Sequence, residues 1–191
     1  EDADVGVRLS MMGEPVRVVY EDAYVTKEET PPTVGQFIKQ RTRWNQGFLQ
    51  VLTKGDYRGL PKLGQRLLAV YTLATPVIQA LTALYIPISI YTMFFTKLPV
   101  WIAMLAWLPA YMLIGQYILN LVGLHEFADA HGIHLSRLSW FKLALSFYPY
   151  QVLLGISAVR GVVRELKGVN NWEKTSHVNA HRGAISPAQG G

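Results

Sequence analysis

Residues 67–96, LLAVYTLATPVIQALTALYIPISIYTMFFT, run for 30 positions without a charged side chain. About 20 apolar residues suffice to cross the hydrocarbon core of a bilayer, so this stretch decides the class: a transmembrane helix. Residues 98–124 add 27 more uncharged positions and read the same way. A third run, 143–159, holds only 17 uncharged residues and contains Pro149. At that length, and broken by a proline, it is expected to be interfacial or re-entrant rather than a full span. The expected fold is therefore mostly α, with two full spans plus one interfacial or re-entrant helix, and with Lys97 on the far side of the membrane.

The charges outside these runs set the orientation. The formal net charge is +5, unevenly spread. Residues 1–36 carry eight of the 13 acids, whereas 37–66 carry seven Lys/Arg against the single Asp56. A basic stretch just before a hydrophobic span belongs on the cytoplasmic face and suits anionic headgroups, so membrane lipids are expected partners and nucleic acid is not. Residues 160–182 are basic again, five Lys/Arg against two acids, which favours a cytoplasmic tail. The chain has no cysteine, which excludes a disulfide framework and a thiolate zinc site. No signal peptide or initiator Met precedes Glu1, and the expectation is the C-terminal part of a longer protein.

Ahead of the first span, Asp2 caps a short helix that Gly13 ends, with Val5, Leu9 and Met12 on one stripe. Residues 16–20 are β-branched and aromatic enough for a strand, and 23–26 for a second. Pro31-Pro32 interrupts the chain, and Thr33 with Gln36 then has capping-box spacing, so a helix is expected from Val34. Phe37, Trp44, Phe48 and Val51 or Leu52 recur at helical spacing between Lys39, Arg41 and Arg43, the pattern of a helix lying on a membrane surface. Within the spans, Thr72, Thr75, Gln79 and Thr82 form one polar stripe, and Gln116 and Asn120 a shorter one. Interhelical hydrogen bonding and a sugar-lined channel are the two readings of such stripes. The expected division is 1–33, the edge of a soluble α/β domain; 34–66, the surface helix and its loop; 67–163, the membrane region; and 164–191, the tail, ending in a small-residue stretch.

The chemistry lies in Gln40-Arg41-Thr42-Arg43-Trp44, a QxxRW pattern. On a helix Gln40, Arg43 and Trp44 stand at i, i+3 and i+4, so an amide, a guanidinium and an indole share one face. The guanidinium can grip phosphate oxygens in forked fashion, the amide can read hydroxyls, and the indole offers an apolar plane to the C–H face of a sugar ring.

Residues 1–9, EDADVGVRL, followed by QRTRW, resemble the C-terminal half of membrane-embedded, inverting family-2 glycosyltransferases, the group that includes cellulose, chitin and hyaluronan synthases. The resemblance implies a GT-A-like cytoplasmic catalytic domain ending near residue 33. It also implies a nucleotide-sugar donor, a carbohydrate or lipid-linked acceptor, and residence in the plasma (inner) membrane with the catalytic side cytoplasmic. By this resemblance Asp2 is the general base for the acceptor hydroxyl, and Gln40, Arg43 and Trp44 line the acceptor site and approach the diphosphate. Trp172, Lys174 and Thr175 resemble a segment that closes over the nucleotide in processive relatives; their plain reading is an interfacial Trp beside a snorkelling Lys. A divalent metal, Mg or Mn, is implied for the complete enzyme, with its Asp-x-Asp ligands and the nucleotide-binding carboxylates upstream of Glu1. No metal site is expected in these residues. His177 and His181 lack a third ligand, and His125-Glu126 has Asp129 where a zincin needs its second His.

The reading carried forward is a polysaccharide-forming transferase. A non-processive transferase acting on a lipid-linked or glycolipid acceptor stays open, as does a non-enzymatic membrane scaffold or transporter subunit.

Overall fold

The computed structural model describes residues 2–14, 17, 19, 30–97, 99–169 and 171, with only the backbone of 109 and 110. Among them are six α-helices: α1 (Asp2–Met11), α2 (Val34–Lys54), α3 (Leu63–Phe95), α4 (Val100–Ala106), α5 (Leu108–Ala130) and α6 (Arg137–Leu166). A short 3-10 helix, Asp56–Gly59, links α2 to the turn before α3. The expected strands, and with them the α/β edge, fall on residues 16–20 and 23–26. Of these only Arg17 and Val19 are described, and neither is in a strand. The chain divides into two compact units, Glu1–Pro76 with Arg160–Gly191, and Val77–Val159, the boundary falling within α3 and α6.

In the first unit, α1 forms as its ends dictate. Asp2 and Asp4 meet the positive N-terminal end of the helix dipole, Arg8 lies in the last turn, and Gly13 at φ 77° allows the Glu14 N–H to reach the Leu9 carbonyl at 3.1 Å. The apolar stripe of Val5, Leu9 and Met12 stays exposed. The docked side is Asp4, Arg8 and Met11, because ion pairs and a Met11–Gly59 contact hold α1. Helix α2 begins as expected, with the Thr33 hydroxyl accepting from the Gln36 N–H at 3.3 Å, and ends at Gly55, which takes the left-handed conformation at φ 79°.

The second unit contains most of the apolar surface. Leu81, Leu84, Phe94 and Phe95 of α3 are all more than half exposed. A helix of a water-soluble core buries such side chains; an outward apolar face suits lipid. Among the described residues α3 is the single helix long and apolar enough to cross a membrane by itself, and it runs unbroken through Pro76 and Pro87. Of the polar stripes, Thr75 donates to the Tyr71 carbonyl at 3.1 Å and Asn120 to the Gln116 carbonyl at 3.0 Å, so both satisfy themselves within their own helices.

One expectation about the spans needs correction. Residues 98–124 are not one continuous helix. The chain breaks at Trp107 (φ −90°, ψ 0°), and α4 and the body of α5 are bent by 45°, the geometry of a broken span or a re-entrant loop. Pro109 in the first turn of α5 explains the restart, since it has no N–H to bond back into α4. Helix α6 continues through Pro149 without a break. Packing outweighs the single lost hydrogen bond: Phe147 is buried edge-on to Tyr117 of α5 at 5.0 Å, and Ala158 is fully buried. Gly155 lies so close to α3 that a Cβ there would stand 2.7 Å from that of Ala83. Small residues let membrane helices approach in this way.

Candidate functional site

Helix α2 presents two faces of different character. The buried one is largely polar: Thr42, Gln46 and Leu49 face inward, and Gly161 of α6 approaches so closely that a Cβ there would lie 3.0 Å from the Asn45 Cβ and 3.3 Å from the Thr42 carbonyl oxygen. Gln46 is the hub of this contact. Its amide donates to the Val169 carbonyl at 2.7 Å and to Glu165 at 3.3 Å, while its oxygen accepts from Arg164 Nε at 3.2 Å. Arg164 in turn donates to both the backbone and side-chain oxygens of Asn171 at 2.8 Å. A buried amide with donor and acceptor both used fixes α2 in register against the end of α6.

Gln40 and Trp44 lie toward the opposite edge, whereas Arg43, about 60° around the helix from Gln46, lies between the two faces. Gln40 and Arg43 are half-buried on α2, and Trp44 is 40% exposed. At about 100° per residue, Phe37, Trp44 and Phe48 fall within about 40° of one another, so the apolar edge expected at a membrane surface exists and is turned away from the Gln46 face. The Arg41 guanidinium lies over this edge, 4.5 Å from the Trp44 ring centre and 5.3 Å from that of Phe37. One helix thus offers a guanidinium, an amide and an indole together.

Asp2 is not brought to them. It is exposed on the first turn of α1, about 200° around the helix from Asp4, and α1 docks at the far end of α2. There Lys54 bridges Asp4 at 2.8 Å and Asp56 at 3.0 Å, and Arg8 lies 3.2 Å from Asp4. Ten residues of helix, about 15 Å, separate Lys54 from Trp44. The hydrogen bond from Lys54 pulls the Asp4 carboxyl below its ordinary 3.8, and the bonds to Asp4 and then Asp56 raise Lys54 above its ordinary 10.5. The signs fix the window. The Asp4 contribution is present above pH 3.8 and lost as pH falls through the lowered value; the Lys54 contribution is present below pH 10.5 and lost as pH rises through the raised one. Both groups are solvent-exposed, so salt weakens the link. Replacing Lys54 by Met is expected to speed amide exchange in α1 a few-fold while α2 keeps its protection, an effect that high salt reproduces. Unchanged exchange in α1 would show that the ion pairs do not hold it.

Trp172, Lys174 and Thr175, with His177 and His181, lie outside the described residues. No three His, Cys, Asp or Glu side chains converge into a metal site among the described residues, so the donor set here does not fit the implied divalent ion. Sequence reasoning missed Gln46, Arg164 and Glu165. They are separated by 118 and 119 positions, and no local periodicity connects them.

No curated protein and no solved structure matches the chain. The family model described as glycosyl transferase family group 2 matches residues 1–163, most of the sequence. The basic helix with QRTRW, placed directly before an apolar 33-residue helix, is therefore part of a glycosyltransferase, and the chain belongs to glycosyl transferase family group 2.

Proposed function

We propose that these residues form the C-terminal part of a membrane glycosyltransferase that moves a sugar from a nucleotide-sugar donor to a growing polysaccharide with inversion. The observation that carries the reading is α2, where Gln40 lies within about 40° of an exposed Trp44 and about 60° from Arg43, on a helix fixed in register by Gln46. In the proposed step the acceptor hydroxyl oxygen bonds to the anomeric carbon as the bond from that carbon to the diphosphate oxygen breaks. The hydroxyl proton passes to the Asp2 carboxylate, and the diphosphate leaves with the electron pair. Arg43 forks onto the diphosphate, Gln40 reads acceptor hydroxyls and Trp44 stacks on the sugar. Asp2 and the α2 edge lie apart here, so the reading requires the acceptor to be held between them when the catalytic domain is in place. Mg or Mn is assigned to ligands outside these residues, and no step is routed through it.

Processive transfer is distinguished from single transfer by product size. With radiolabelled donor and limiting turnover, the proposal expects long chains while most acceptor is unextended. A product one sugar longer, formed uniformly, would favour the glycolipid-acceptor reading.

The proposed topology keeps the tail cytoplasmic, beside the nucleotide role assigned to Trp172, Lys174 and Thr175. The basic count of residues 160–182 supports this. We keep α3 and the bent α4–α5 pair as the two crossings, since α3 passes on length and apolarity by itself and the pair passes together, with residues 143–159 interfacial or re-entrant, so the number of crossings is even. In a cysteine-free background, a single cysteine at Lys97 is expected to label from outside intact cells with an impermeant thiol reagent, and one at Ser186 is not. Equal labelling of Ser186 would overturn the topology and the nucleotide role of the tail.

A further inference from the structure

Arg41 occupies one of the unspecified positions of QxxRW, yet it is the side chain most intimately placed against Trp44. Phe37, Arg41 and Trp44 follow at i, i+4 and i+7, and the guanidinium lies 5.3 Å from the first ring centre and 4.5 Å from the second. Both distances are within the range in which a cation is attracted to an aromatic face. No ion pair holds Arg41 among the described residues, and its buried Nε has no hydrogen-bond acceptor there. The rings, rather than a carboxylate, therefore hold the guanidinium.

The consequence falls on Trp44. An indole 40% exposed on a helix surface has open rotamers to explore. A planar cation stacked on it removes that freedom and covers one of its two faces. We propose that Arg41 is a positioning residue that fixes the Trp44 indole and closes one face, leaving the other as a one-sided platform for an acceptor sugar ring. The inference rests on the functional reading above, because it needs Trp44 to touch the acceptor. It goes beyond that reading by assigning the unspecified arginine to the indole and not to the diphosphate.

The test uses the full-length protein in nanodiscs with radiolabelled UDP-glucose, UDP-N-acetylglucosamine and GDP-mannose as the donor panel, and a double-mutant cycle on whichever donor is used. Arg41→Met is expected to lower turnover about tenfold with donor KM changed less than about twofold, and Arg41→Lys, which keeps the cation but not its plane, to fall between. In the Trp44→Phe background, Arg41→Met is expected to cost little more, because the group it positions is already altered. With 5-fluorotryptophan incorporated, the resonance lost in Trp44→Phe is expected to shift in Arg41→Met. An Arg41→Met effect that persists in full in the Trp44→Phe background, or that appears as a raised donor KM, overturns the inference in favour of a direct phosphate contact. A silent Trp44→Phe instead sinks the acceptor role of Trp44 and the inference with it, and the fluorine shift then reports a stack without a platform.

Discussion

Asp2→Asn in the full-length protein is expected to lower sugar transfer by about 10² to 10⁴ while leaving nucleotide-sugar affinity nearly unchanged. The amide is nearly isosteric with the carboxylate, so the first turn of α1 loses a charge but little shape. What it loses is the acceptor for the hydroxyl proton. The ion pairs that dock α1 run through Asp4, Arg8, Lys54 and Asp56 and do not include Asp2, so the substitution leaves the docking intact. A fall in rate with normal α1 protection would then report chemistry rather than unfolding. Near-normal turnover with radiolabelled donor would remove Asp2 from the role of base.

Arg43→Lys is expected to lower transfer by about 10- to 100-fold with membrane insertion unchanged. Lysine keeps the positive charge and most of the stem but presents a single ammonium in place of a planar fork, and the two parallel hydrogen bonds to phosphate oxygens are lost. The same substitution would be nearly neutral if α2 merely rested on headgroups, because an exposed ammonium serves that purpose as well as a guanidinium. A silent Arg43→Lys would leave α2 as an interfacial anchor and favour the scaffold reading.

How much of this could be read from the residues differs from one element to the next. Helix α2 was legible at both ends and along its outer edge, because a Thr33 cap, a left-handed Gly55 and the Phe37–Trp44–Phe48 spacing are all local signals. Its inner face was not. Thr42 and Gln46 look like ordinary surface residues until Gly161 and Arg164 arrive from the far end of the chain, and a polar contact of that kind leaves no hydrophobic period. The docked side of α1 leaves no local signal for a related reason: the partners of Asp4 and Arg8 lie some 50 residues downstream.

The membrane segments show the same division. A 33-residue apolar helix announces itself, and α3 runs unbroken through two prolines. Helix α6 continues through Pro149, whereas the chain breaks at Trp107 just before Pro109. Proline removes one hydrogen bond wherever it stands, and whether the helix survives depends on what packs around it. The buried Phe147 and the tight Gly155–Ala83 approach hold α6 together, whereas Trp107 ends α4 just before Pro109. The QRTRW residues were found by their chemistry, but their separation from Asp2 was not foreseen, since sequence spacing does not say at which end of α2 the first helix docks.

The decisive measurement is incorporation of radiolabelled sugar from the donor panel by the full-length protein in inside-out vesicles, for the wild type and for a triple variant, Gln40→Ala, Arg43→Lys and Trp44→Phe. The expected result is incorporation by the wild type and its loss, to about 1% or less, in a variant that inserts equally well. Incorporation by the variant at the wild-type rate would contradict the placement of the transfer site on the outer edge of α2.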